Sequence, residues 1–89
     1  MATPAEIRAL RARAHHLRPV VLVGDAGVTP GVVAETARAL DDHELIKVRF
    51  AEEDRVAFRD AAHDLSSQLD AELVQTVGRV AVLYRERED

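Results

Sequence analysis

The chain has 89 residues, no cysteine, three aromatic residues and a net charge of −4. A domain holds about 50–250 residues, so this length supports one domain with a modest core and leaves little room for a deep, walled active site. Without cysteine there are no disulfides, thiolate metal ligands or cysteine nucleophiles; no N-terminal apolar stretch resembles a signal peptide, and no run approaches the roughly 20 apolar residues of a spanning helix.

The first helix signal is Thr3-Pro4-Ala5-Glu6. Thr3 can cap, proline is tolerated in the first turn, and Glu6 completes a capping box. Ile7, Leu10, Ala14 and Leu17 follow at helical spacing as an apolar stripe. Arg8, Arg11, His15 and Arg18 repeat that spacing one residue later, a basic stripe about 100° round the helix. Arg18-Pro19 is expected to end the helix, because the residue before proline is driven out of the α region. Val20 to Val23, unbroken and apolar between Pro19 and Gly24, reads as a buried central strand.

Gly24-Asp25-Ala26-Gly27 then forms a tight loop, and Thr29-Pro30 starts a second helix reaching about Leu40, with Val33, Ala37 and Leu40 inward. Ile46, Val48 and Phe50 alternate with Lys47 and Arg49, the period of a half-buried strand with its basic residues on the open face. Acids at 52–54 suit the start of a third helix, whose inner stripe is Phe58, Ala61, Ala62, Leu65 and Leu69. Leu73 to Val77 and Val80 to Tyr84 are strands joined by a two-residue turn, Gly78-Arg79, and residues 85–89 are a charged tail expected to fray. The order α-β-α-β-α-β-β predicts an α/β fold: a mixed four-stranded sheet packed by helices, parallel where crossovers join strands and antiparallel at the final hairpin.

Among candidate sites, the Gly24–Gly27 loop stands out, because it joins an apolar strand to a helix N-terminus. Two glycines three apart let the backbone turn sharply and approach a ligand, and the helix end favours phosphate. The pattern resembles the backbone clamp of KH-type RNA binders. No Gly-Lys-Ser/Thr follows, which excludes a P-loop, and there is no third glycine for a dinucleotide fingerprint. His15, His16, His43 and His63 match no metal spacing. Ser66 and Ser67 lie mid-helix without a glycine elbow, so no nucleophilic site is expected. Few aromatics disfavour a stacking platform of the RRM or OB kind. Charge is segregated: residues 1–24 carry four arginines against one acid, and residues 50–89 carry five against ten. An acidic chain can therefore present one basic face.

Several segments combine into a more specific pattern. Ala14-His15-His16-Leu17-Arg18-Pro19-Val20-Val21 runs into Val23-Gly24-Asp25-Ala26-Gly27-Val28-Thr29, and later come His43-Glu44-Leu45-Ile46-Lys47-Val48-Arg49 and Gly78 to Arg85. In order and spacing, from about Ile7 to Arg85, the chain resembles the CRM domain family, in particular its stand-alone bacterial YhbY-like members. The resemblance implies a single domain over residues 1–89 with its core at about 4–85. It implies a fold similar to the C-terminal domain of translation initiation factor 3, and RNA binding in precursors of the large ribosomal subunit. The family's glycine loop falls on Gly24, Asp25, Ala26 and Gly27, and its RNA-facing basic positions on Arg8, Arg11, His15, Arg18, Lys47 and Arg49. Asp25 and Ala26 depart from related loops, which often carry basic or neutral polar residues there.

The expectation is an RNA-binding assembly factor that holds structured ribosomal RNA by backbone and shape. It would be cytoplasmic and monomeric, with no cofactor, metal or membrane partner and no enzymatic activity. The alternative is a module contacting basic ribosomal proteins through an acidic third-helix face formed by Glu53, Asp60 and Asp64.

Overall fold

The computed structural model describes residues 2–87. Helix α1 (Pro4–Ala14) opens on the expected capping box: the Thr3 hydroxyl accepts from the Glu6 amide, and the Glu6 carboxylate accepts from the Thr3 amide, both at 3.2 Å. The Thr3 amide bond and then the Thr3 side chain hold the Glu6 carboxyl below its ordinary pKa. Stability from this box is present above the ordinary carboxylate range and is lost as pH falls through the lowered value.

Helix α1 stops at Ala14, four residues before the expected end. His15 is its C-cap, and the Leu17 amide donates to the Ala14 carbonyl at 2.9 Å, a tight i→i−3 turn. Pro19 opens the next strand, so residues 15–18 must carry the chain off the helix axis and onto the sheet. The turn removes Leu17 from the apolar stripe and leaves it 38% exposed. It also takes Arg18 off the helix, so the basic stripe is three residues long rather than four. His16 is exposed, and its ring meets that of His15 edge-on.

The remaining elements are β1 (Pro19–Val23), α2 (Pro30–His43), β2 (Leu45–Phe50), α3 (Arg55–Gln68), β3 (Glu72–Val77) and β4 (Val80–Tyr84). The sheet order is β1-β2-β4-β3, with β1 parallel to β2 and the other pairs antiparallel. The order of elements and the mixed four-stranded sheet are those the sequence predicts. Asp54 caps α3 by accepting from the Ala57 amide at 2.9 Å. Gly78 takes φ +59 at the first position of the β3–β4 turn, as a type II′ hairpin requires.

Strand β1 is an edge, not the centre. Val21 and Val23 are buried, whereas Val20 and Leu22 are 49% and 61% exposed. The reason lies in helix placement. Helices α2 and α3 cover one face of the sheet, burying Val21, Val23, Ile46, Val48 and Phe50 with Leu40, Phe58 and Leu65. Helix α1 covers the other face but packs on β2, β3 and β4, through Leu10 and Ala14 against Leu45, Val74 and Val82. Leu22 is left largely in water, and Val20 is only partly covered, beside Arg13, Leu17 and Arg18. Leu22→Ser is therefore expected to change unfolding free energy by no more than about 0.5 kcal/mol in urea titration, as for other surface positions; a loss of core size would restore the central-strand reading.

The C-terminal segment is anchored through Arg87. The Arg85 guanidinium donates to the Leu69 carbonyl (2.9 Å), the Ala37 carbonyl (3.2 Å) and Asp41 (2.9 Å), tying β4 to the ends of α2 and α3. The Arg87 amide donates to Glu44 at 2.8 Å. Fraying expected from residue 85 is prevented by these bonds; Glu88 and Asp89 lie outside the described residues.

Candidate nucleic-acid interface

Helix α1 divides its flanks by charge. Ile7, Leu10 and Ala14 face the sheet, so the 100° step per residue sends Glu6 and Arg13 to one side and Arg8, Arg11 and His15 to the other. The Glu6–Arg13 flank looks toward Tyr84, whose phenol is pushed up by burial and by Glu86 and Glu44, with Arg13 opposing. Tyr84 ends β4 and pairs with Leu45 at the start of β2. The Arg8–Arg11–His15 flank therefore overlooks the part of the sheet that α1 leaves uncovered.

That uncovered floor carries Lys47 and Arg49. Both project to the α1 side, since Ile46, Val48 and Phe50 project to the other; Arg49 is exposed and Lys47 half-buried. Arg18 sits apart from the stripe, beside a shallow cavity of about 350 Å³ shared with Arg13, Leu17, Val20 and His43. Among the described residues the ion pairs are Arg85–Asp41 and Arg87–Glu44. Arg8, Arg11, Arg18, Lys47 and Arg49 are in neither, so no close carboxylate of the described residues cancels their charge.

The glycine loop lies at the far end of the sheet from α1. The Ala51 amide donates to the Val23 carbonyl at 2.9 Å and the Phe50 amide to Arg79 at 2.8 Å, gathering the ends of β1 and β2 and the hairpin turn. A β1 of five residues separates Arg18 from Gly24, about 17–20 Å at roughly 3.3 Å per residue. The loop is a turn closed by the Gly27 amide donating to the Gly24 carbonyl at 3.0 Å. Gly24, Asp25 and Ala26 are exposed, and the amides of Asp25 and Ala26 have no partner among the described residues.

The two glycines are not equivalent. Both have open space where a Cβ would stand, but of the two only Gly27 takes a positive φ, +77. Gly27→Ala is expected to cost about 1–2 kcal/mol, the strain of a left-handed L-residue, while Gly24→Ala costs under about 1 kcal/mol. Chemical denaturation of the pair checks this; equal costs would mean that the loop relaxes. The helix end behind the loop offers fewer donors than its sequence suggests. Thr29 takes the Val32 amide at 3.1 Å through its hydroxyl and the Val33 amide through its carbonyl, and Pro30 has no N–H. Only Gly31 keeps a free amide in that turn among the described residues. Asp25 makes no cap or ion pair among the described residues, and its side chain is exposed at the loop tip.

The acids of α3 lie across the sheet from the arginines of α1. Glu53, Asp60 and Asp64 are exposed, but so are Arg55 and Arg59 on the same helix, and the mixture is not a uniformly acidic face. Ser66 is buried and donates to the His63 carbonyl at 3.0 Å, a helix back-bond rather than a nucleophile's contact. Among the described residues no three His, Asp or Glu side chains are grouped to hold a metal ion, and no helix is long and apolar enough to cross a membrane.

Fold and charge layout together define a small α/β domain with one cationic, half-open sheet face. The chain belongs to the CRS1 / YhbY (CRM) domain family, whose model matches residues 3–85. It is 48% identical over 71 residues to the Probable RNA-binding protein PA4753 of Pseudomonas aeruginosa, covering 80% of this chain and 68% of that protein. It is 38% identical to the Probable RNA-binding protein YqeI of Bacillus subtilis, over 100% of this chain and 93% of the relative. The solution structure of SAV1595 from Staphylococcus aureus superposes with a TM-score of 0.89 at 31% identity, covering 100% of this chain and 93% of that one. The relatives named here carry the names of RNA-binding proteins and not of enzymes.

Proposed function

We propose that this protein binds ribosomal RNA in precursors of the large ribosomal subunit, as an assembly factor without catalytic activity. The observation that carries the reading is the set of uncancelled cations on one face: Arg8, Arg11 and His15 along α1 above Lys47 and Arg49 on the open sheet. A polyanion can meet all of these at once, and phosphate contacts of this kind supply most sequence-independent affinity. The names of the relatives support RNA as the ligand. The exposed amides of Asp25 and Ala26 extend the surface to the far end of the sheet, where backbone donors can reach phosphate.

Sedimentation of tagged protein from a lysate at low and moderate salt tests the role. Migration with particles near the large subunit, released by added salt, is the expected result. Protein that stays at the top of the gradient in both conditions overturns the ribosomal role. The loop carries its own test. Asp25→Asn removes a carboxylate that repels phosphate, and is expected to tighten RNA binding by about two- to fivefold at low salt, the scale of one exposed charge. Unchanged affinity would place the loop tip away from the RNA.

A further inference from the structure

The open half of the sheet is apolar as well as cationic. Leu22 pairs with Arg49, Arg49 with Val80, and Val80 with Val77, so these four residues form one row across all four strands. At roughly 4.8 Å per strand the row spans about 14 Å. Leu22 and Val77 are 61% and 60% exposed. Scattered exposed aliphatics are ordinary on any protein. Here two large ones close opposite ends of one row, with a half-buried valine and an exposed arginine between them. The neighbouring row adds Lys47, opposite Pro19, on the same side. Five side chains on this floor, Leu22, Lys47, Arg49, Val77 and Val80, include two cations and no carboxylate.

We infer that this row is a platform for unpaired nucleobases. The inference rests on the RNA-binding reading and adds to it the class of RNA: strands or loops whose bases are free of a duplex. A ligand matching the floor needs flat apolar faces alternating with negative charge over a few ångström. Single-stranded nucleic acid has both: its bases stack on arginine planes, the part open to Arg49, and their apolar faces gain by leaving water against aliphatic side chains. A regular duplex presents phosphate but keeps its base faces stacked inside, and would leave Leu22 and Val77 in water. The arginines of α1 stand beside the floor, where they can hold the phosphates of a strand whose bases lie on the row. Few aromatics are required for this, because the platform is aliphatic.

The test uses the intact chain and bulk ribosomal RNA as the bound probe. Three competitors of equal length are compared: a mixed-sequence single-stranded 12-mer, the same strand with abasic riboses, and a 12-base-pair duplex. The single strand is expected to compete at about tenfold lower concentration than either of the others, the scale of one packed base. The double variant L22S/V77S, exposed at both positions, is expected to lose that preference with its salt dependence unchanged. Equal competition by all three, with ribosomal RNA binding indifferent to L22S/V77S, overturns the platform and leaves RNA binding standing. Absence of ribosomal RNA binding by the unsubstituted chain overturns the reading beneath it. Concentration-dependent dimerisation abolished by L22S/V77S would assign the row to a second copy of this chain, and also overturns the platform.

Discussion

Replacing Arg8 and Arg11 together by glutamate is expected to lower affinity for ribosomal RNA by about a hundredfold or more at low salt, from two lost phosphate contacts and two new repulsions. The slope of log affinity against log salt should flatten by about 1.4–2, as two fewer counterions are released. Folding should be nearly untouched. Both side chains are exposed, neither makes an ion pair among the described residues, and glutamate is as good a helix former as arginine. The unfolding free energy should therefore move by no more than about 0.5 kcal/mol. Filter binding across a salt series, with thermal denaturation of the same samples, gives both quantities. Unchanged affinity in the folded variant would remove α1 from the interface.

Phe50→Ala is expected to have the largest effect on the fold, a loss of about 3–5 kcal/mol. Phe50 is 2% exposed at the end of β2 and meets Phe58 of α3 edge to face, with ring centroids 5.2 Å apart. Its ring joins the sheet to the helix layer, and with only three aromatics in the chain no neighbour can refill that volume. A domain of this size has about 4–13 kcal/mol of stability in all. The variant should melt at least about 12 °C lower, at roughly 4–8 °C per kcal/mol. A shift of only a few degrees would show that α3 closes over the gap. The contrast with Leu22→Ser, an apolar loss on the open face, separates core from surface within one sheet.

Much of the fold was legible because the local signals agree. The capping residues Thr3, Thr29 and Asp54, the two-residue turn at Gly78, and the alternation of Ile46, Val48 and Phe50 each act within a few residues, and the structure contains all of them. The basic residues at 8, 11 and 15 follow from the same helical period. Among the expectations that failed, two were decided by distant contacts and one by a local bond. Leu17 fits the stripe of α1, but the route to β1 ends the helix first. Residues 85–87 look like a tail, yet Arg85 finds carbonyl partners 16 and 48 residues away. The donors expected at the start of α2 are taken by Thr29, a local bond that the Thr29-Pro30 cap signal already contained.

The sequence by itself determined the number, type and order of elements, and placed cations on one flank of α1 and one face of β2. These are matters of period, caps and turn residues, settled by short-range sterics and hydrogen bonds. It left undetermined which face of the sheet each helix covers, because an apolar run such as Val20 to Val23 records affinity for a core and not the direction of it. The tertiary structure decided that by laying α1 over β2, β3 and β4 while α2 and α3 took the opposite face. The pairing order put β1 at an edge, and α1 packs on the other three strands, so Leu22 remained in water, and Lys47 and Arg49 came to lie on an open floor beside the arginines of α1.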